Sequence, residues 1–401
     1  MSKMMPKKLL IAFIALGLVS LFADMTYEGA RSVVGAYLEM LGATALIAGS
    51  VGIGEFLGYV TRGVGGFLAG LMRSSKAFWS LIYIGYAINL FAVPLLAFAG
   101  DWKAALLLVM VERIGKGLRT PARDTVLAEV TESIGRGKGF GIHELMDQIG
   151  AIAGPSIVLL AASYRGLRGA FLILAVPAIA SLAMLTLAST SYPKVRAIEE
   201  LRQERSSISM IGVKGLGKTF WLYVASTALL SLGFIHWSLF IYHVSYVGLI
   251  PLTLLPTLYI ISMVSDAAIA FPAGYLYDRL GPKTLIVAPV LALITVPLLL
   301  QNKLNFIVTA AIIWGLVMGI YETTLRVFIA DITRPENRSY AYGIYGMIYG
   351  LSWGVGNMIM GALYPVSSSY LIAYVILIEL AALFMLLYTI VIALRVKALG
   401  E

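Results

Sequence analysis

Apolar positions along this chain do not follow the one-sided period of a water-soluble helix; they fill long, nearly unbroken stretches. Such stretches run near residues 9–38, 44–70, 77–99, 102–129, 139–163, 167–189, 219–246, 251–276, 283–300, 304–330, 340–364 and 369–394. Most are longer than the ~20 residues needed to cross ~30 Å of hydrocarbon at ~1.5 Å per residue. Short turns separate them, with one exception. Residues 190–218 are polar, and Lys194–Arg205 within them alternates basic and acidic side chains, which predicts a surface helix with one charged face. The pattern therefore predicts an all-α membrane protein of 12 transmembrane helices in two pseudo-symmetric six-helix bundles. The bundles span 1–189 and 219–401, and 190–218 is the amphipathic linker.

Composition supports lipid as the solvent. Charged residues make up 13% of the chain and hydrophobic ones 60%, with a mean hydropathy of +0.89. A soluble domain carries about 25% charged residues, so too little polar surface exists here to cover a globule in water. Lys3, Lys7 and Lys8 precede the first apolar run in the manner of a signal peptide, but that run is far longer than a cleavable segment of about 7–15 residues. It reads as a retained first helix. With no cysteine, thiol chemistry and disulfides are excluded.

The net charge of +9 is a topology signal. With the N-terminus inside, nineteen Lys and Arg fall on cytoplasmic segments and only Lys103, Arg165, Arg168 and Lys303 on external loops. By the positive-inside rule both termini are cytoplasmic, in a cell (cytoplasmic) membrane. Nucleic acid is not an expected partner, since no soluble basic face carries stacking aromatics.

The two halves repeat. Leu127–Arg136 aligns with Ile329–Arg338 at an offset of 202 without a gap, and Gly117, Gly141 and Gly154 meet Gly319, Gly343 and Gly356 at the same offset. Near an offset of 208, Gly66 and Gly70 meet Gly274 and Asp278. Parallel repeats joined by a linker are one organisation of secondary transporters.

Charges inside these helices are the candidate chemistry, because each is costly in lipid. Asp24, Glu28 and Arg31 share one face of the first helix, and Asp24 lies roughly 22 Å from its start at ~1.5 Å per residue. On the fourth helix Arg113 sits beside Glu112, and Lys116, Arg119 and Arg123 continue along one side. Two readings stand: an internal ion pair locking helices one and four, or a protonatable carboxylate governed by a nearby arginine. The fifth helix adds Glu144, Asp147 and His143. Glu55, Asp266, Glu322 and Glu379 are single acids, which read first as groups bonded to backbone or tyrosine in packed interfaces. His236 and His243 share a face of helix seven, too few to specify a metal, and no metal or other cofactor is expected. His236 reads instead as a polar group on the pathway, next to Trp237 and with Tyr242 on the same helix.

Two motifs are set aside. Gly212–Thr219 fits the phosphate-loop pattern, but that loop works only between a buried strand and a helix. Asn337-Arg-Ser is a glycosylation sequon on a segment assigned to the cytoplasm. Gly150, Gly154 and Pro155 in helix five, and Gly346, Gly350, Gly354 and Gly356 in helix eleven, allow close approach and bending.

With these residues in view, the chain resembles the major facilitator superfamily over essentially its whole length, and within it the twelve-helix drug/proton antiporter group. Gly274-Tyr-Leu-Tyr-Asp278-Arg279-Leu-Gly281-Pro-Lys283 copies the superfamily loop signature between helices eight and nine. Arg113-Ile-Gly-Lys-Gly117 is similar to the helix-four antiporter motif with Lys for Gln, and Gly150-Ala-Ile-Ala-Gly154-Pro155 to the helix-five one. The first-half loop copy departs, having Gly70 where the acid belongs, and helix one lacks the family's proline-rich end. The resemblance implies rocking of two bundles about a central cavity. It implies a gating role for Asp278, Arg279, Arg136, Gly150, Gly154 and Pro155, with Asp278 meeting the start of helix five through Arg136.

The leading expectation is a proton-coupled antiporter that exports amphipathic, drug-like small molecules, working as a monomer in the lipid bilayer. Asp24 and Glu28 would carry protons with Arg113 as coupling partner. Arg31, Glu112, Lys116, Arg123, Glu144, Asp147, His236, Trp237 and Asp266 would line the substrate pathway. The alternative is transport of an organic anion or lipid-like substrate on the basic stripe Arg31, Arg113, Lys116 and Arg123. A non-transporting sensor lacks a soluble signalling domain, and an enzyme lacks any recognisable hydrolase or metal-binding motif.

Overall fold

Lipid leaves a backbone one way to satisfy its polar groups without a closed barrel, and that is the helix. The computed structural model, which describes residues 6–132, 136–196, 198, 216–334 and 338–399, holds helices and no strand among them. They form twelve rods. The first six are α1 (Lys7–Met40), α2 (45–71), α3 (Ser75–Phe98), α4 (Trp102–Val130), α5 (136–165) and α6 (167–191). The second six are α7 (Lys218–Val247), α8 (Pro256–Leu280), α9 (281–299), α10 (Leu304–Ile332), α11 (Arg338–Leu363) and α12 (Ser368–Leu399). Most of the expected linker helix, the first half of the Gly212–Thr219 motif, Asn337 and the side chain of Arg136 lie outside the described residues.

Local chemistry sets the boundaries. Asp101 caps α4, its carboxylate accepting from the Ala104 amide at 2.9 Å. Pro256 opens α8, where its missing N–H costs nothing. Gly166 stands at φ 65°, a left-handed conformation that side chains disfavour, and it parts α5 from α6. Gly281 does the same at φ 65° where α8 ends. Large apolar side chains point outward along the rods: Phe271 is 82% exposed and Phe384 67%. On a soluble protein such a surface would aggregate; here it is the lipid face.

The rods pack into two compact units, Met1–Arg31 with Leu57–Ser209 and Ser32–Phe56 with Met210–Glu401. In the first, the Lys7–Arg31 stretch lies against α5 and α6, and α3 against α4. In the second, α8 lies against α10, and α7 against α11 and α12. Residues 32–56 belong by sequence to the first six helices, yet they pack within the second unit. Glycine is the reason. A side chain on Gly35 would strike the Ser238 carbonyl, one on Gly49 the Asn357 carbonyl, and one on Gly52 would start 3.1 Å from the Gly354 Cα. Backbone thus meets backbone along α7 and α11, the close approach that small residues permit in membranes.

Candidate functional site

The first unit concentrates its intramembrane charge where α1, α4 and α5 meet. Asp24 and Glu28 are each 7% exposed, and they project from successive turns of α1. The Tyr27 hydroxyl donates to Asp24, and the Arg31 guanidinium pairs with Glu28 at 3.3 Å. From α4, Lys116 places its ammonium 3.9 Å from the centre of the Tyr27 ring and within electrostatic reach of both Asp24 and Glu28. Arg113 pairs with its neighbour Glu112 at 3.2 Å. Lys116 is thus a base beside the α1 carboxylates.

Two turns beyond Lys116 along α4, Arg123 joins three helices. Its Nη1 donates to Ser20 Oγ of α1 at 2.9 Å and to His143 Nε2 of α5 at 2.7 Å, while its Nε pairs with Asp124 at 2.8 Å. A guanidinium can only donate, so His143 Nε2 must offer its lone pair. The ring is accordingly neutral with its proton on Nδ1. Asp147 stands one turn on, 3.9 Å from His143 Nε2, and its Oδ1 is buried without a hydrogen bond. Asp24 lies within electrostatic reach of Asp147. Glu144, on the same helix, points outward and is exposed. The helices come this close through α5 glycines: a side chain on Gly150 would meet the Leu21 carbonyl and Asp24, and one on Gly154 the Met25 carbonyl. Pro155 follows inside the same helix.

Sequence reading passed over Asn89 in this network. Asn89 of α3 donates to Glu112 Oε1 at 2.6 Å and accepts from Arg119 Nη2 at 3.4 Å. Arg119 also lies 3.8 Å over the Tyr86 ring. An amide in the middle of an apolar run was the available signal.

In the second unit, α7 breaks over Phe234–His236. The break is held from several sides. Asn357 accepts from the His236 amide at 2.6 Å and donates to the Phe234 carbonyl at 3.1 Å. Trp353 donates to the same carbonyl at 2.8 Å, and Trp314 to that of Ile235 at 2.8 Å. His236 Nδ1 accepts from the Ser238 amide, so Nε2 bears the proton and faces Glu55 at 3.9 Å. Trp237 is fully buried, donates to the Ser32 carbonyl at 3.3 Å and stacks on Phe240. Asp266 is buried against Gly319 on α10, while Asp278 and Arg279 are exposed at the end of α8. Arg279 covers the Tyr275 ring, and it is Tyr277 that reaches α10, donating to Asp331 at 2.6 Å.

Beside this break runs an aromatic column that sequence reading did not pick out. Tyr321 and Tyr349 stack with centroids 4.2 Å apart, Tyr345 and Tyr223 lie parallel at 6.1 Å, and Trp353 meets Tyr349 edge-on. Tyr321–Leu325 forms a π-helical turn, a geometry that often marks function. At the repeat offset of 202, Arg119, His143 and Asp147 correspond to Tyr321, Tyr345 and Tyr349. Charge in one unit is replaced by aromatic rings in the other.

Comparison with known proteins agrees with this architecture. An uncharacterized protein of Mycobacterium tuberculosis is 37% identical over 373 residues, covering 92% of this chain and 90% of that protein. An uncharacterized MFS-type transporter of Methanocaldococcus jannaschii is 25% identical over 371 residues, 90% of each chain. The crystal structure of the nucleoside transporter NupG superposes with a TM-score of 0.69 at 15% identity, over 97% of this chain and 99% of that one, which speaks for the fold. The profile of the Major Facilitator Superfamily matches residues 13–300 and 250–399. Twelve rods, repeated halves and a sequence match along nearly the whole length thus give one result: this chain belongs to the Major Facilitator Superfamily of membrane transporters.

Proposed function

We propose that the protein is a proton-coupled secondary transporter, an antiporter that exports amphipathic molecules carrying a planar aromatic group, by alternating access across the cell membrane. One observation carries the reading: the exchange of Arg119, His143 and Asp147 for Tyr321, Tyr345 and Tyr349 between repeats. The first unit then handles the proton and the second the substrate.

In this scheme Asp24 is the principal proton carrier. Ionised, it is held by Tyr27 and by the Lys116 charge; protonated, it releases Lys116 toward Glu28. Arg113 and Glu28 act one layer out, through their own ion pairs. Asp278 and Arg279 remain gating candidates at the end of α8, with both termini assigned to the cytoplasm by the distribution of Lys and Arg. A single chain suffices for a pathway.

The anion-transport alternative has less support. It needs basic groups free for a ligand, and here Arg31, Arg113 and Arg123 pair with Glu28, Glu112 and Asp124, while Lys116 and Arg119 lie over aromatic rings.

The test is flux of a lipophilic aromatic cation such as ethidium in proteoliposomes under an imposed pH gradient. Wild type should move the dye only with the gradient. Asp24→Asn should lose gradient dependence, and Tyr349→Ala should raise the apparent KM at least several-fold. Flux indifferent to the gradient and to Asp24→Asn would sink the proton reading.

A further inference from the structure

Glu379 is the most isolated acid among the described residues. It sits 11 residues into α12, ~17 Å along at ~1.5 Å per residue, near the middle of a ~30 Å hydrocarbon layer. Its exposure is 0%, and neither carboxyl oxygen has a hydrogen-bond partner. The helices packed on α12 are α7, α9 and α11. Of these, α7 presents Gly233 to the carboxyl: a side chain there would begin 2.6 Å from Oε1. Among the described residues, no charged group of α7, α9 or α11 bears on Glu379. Among the described residues, Tyr374 of α12 itself feels the Glu379 charge, and its hydroxyl is committed to the Leu232 carbonyl at 3.1 Å.

An ionised carboxylate in this setting would lack both water and a counter-charge, a state that costs several kcal/mol or more. A carboxylic acid is neutral and needs only one acceptor for its hydroxyl. We propose that Glu379 is a proton-binding site in the second unit, separate from the cluster on α1, α4 and α5, and that it holds its proton in the conformation described here. Gly233 adjoins the non-helical residues Phe234–His236, so the contact that shields the carboxyl lies beside the break in α7. Movement at that break would bare Glu379 to water and free the proton.

Infrared difference spectroscopy on the purified chain in lipid tests this directly. At neutral pH the wild type should show the C=O stretch of a protonated carboxylic acid, and Glu379→Gln should lose that component. Asp24→Asn should retain it, which separates this site from the proton carrier proposed above. Should Glu379→Gln not fold, Glu379→Asp serves, with the band shifting in frequency. A carboxylic-acid band left unchanged by the Glu379 substitution would overturn the proposal.

Discussion

The side-chain amide of Asn89 donates to the carboxylate of Glu112 at 2.6 Å, and through that bond α3 holds the acid that faces Arg113 on α4. Both residues are buried, Asn89 fully and Glu112 to 6% exposure. The same amide accepts from Arg119 at 3.4 Å, so one neutral group links an acid and a base. Replacing Asn89 by Ala strips a partner from each. A buried charged group left short of a hydrogen bond costs about 1–3 kcal/mol. Asn89→Ala should therefore melt several degrees lower in detergent. Asn89→Asp should be worse, because it sets a second acid against Glu112. Equal melting of Asn89→Ala and wild type would mean that the bond contributes nothing to the fold.

A second expectation concerns the seam between α1 and α5. Gly154 faces the Met25 carbonyl and the Gly29 amide, with no room for a methyl group. Gly154→Val must drive the helices apart, and overpacking of this kind costs about 1–3 kcal/mol. Gly141 on the same helix has open space at its Cβ position. Gly141→Ala should be neutral, or stabilising by up to about 1 kcal/mol, since alanine restricts the unfolded chain. Comparing the two melting curves isolates crowding from helix propensity.

Much of this arrangement was legible in the sequence, and the reason is the solvent. A chain in lipid must span it with helices of fixed length, so twelve rods could be counted from apolar runs alone. Intramembrane charges also announce themselves, and Asp24, Lys116 and Arg123 were visible because lipid tolerates them only for cause. Partnership was not visible. That Lys116 reaches the Tyr27 ring beside Asp24 depends on the rotation of α4 against α1, which periodicity gives only to within a neighbouring face. The packing of residues 32–56 with the second unit was hidden for another reason: α1 and α2 read as unbroken apolar runs, and nothing in such a run marks where its neighbours change. The expectation that single acids bond to backbone or tyrosine also fails at Glu379, where neither partner is present.

At the ends of the rods, the repeat keeps an acid that is clasped by a tyrosine, and this gives a pH prediction. Glu129 and Asp331 correspond at the offset of 202, and each accepts from a tyrosine hydroxyl, Tyr192 at 2.7 Å and Tyr277 at 2.6 Å. Partial burial, and then the bond to Glu129, push the Tyr192 hydroxyl above its ordinary value. A group raised in the folded state stabilises fully below its unfolded value, about 10 for tyrosine, and loses that contribution as pH climbs toward the folded one. Wild type should thus exceed Tyr192→Phe in melting temperature by a constant margin up to about pH 10. Above that the margin should shrink. A margin independent of pH would remove the hydroxyl as its source.

The last prediction rests on His143, whose Nε2 lone pair receives Arg123. His143→Leu removes the acceptor and leaves Arg123 Nη1 with Ser20 alone, at a cost of about 1–3 kcal/mol. His143→Gln keeps an acceptor and should recover most of that loss. Protonation of the ring would do to Arg123 what a second cation does, since an imidazolium has no lone pair to offer and repels the guanidinium. His143→Lys mimics that state permanently, and it should destabilise the protein more than His143→Leu, because charge repulsion is added to the lost bond. Adding salt should narrow the gap only weakly, since a buried pair is poorly screened. The order Gln, Leu, Lys in falling melting temperature would identify His143 as an acceptor held neutral by Arg123. If Lys is tolerated as well as Gln, the ring and the guanidinium do not meet, and Arg123 is positioned by Ser20 and Asp124 alone.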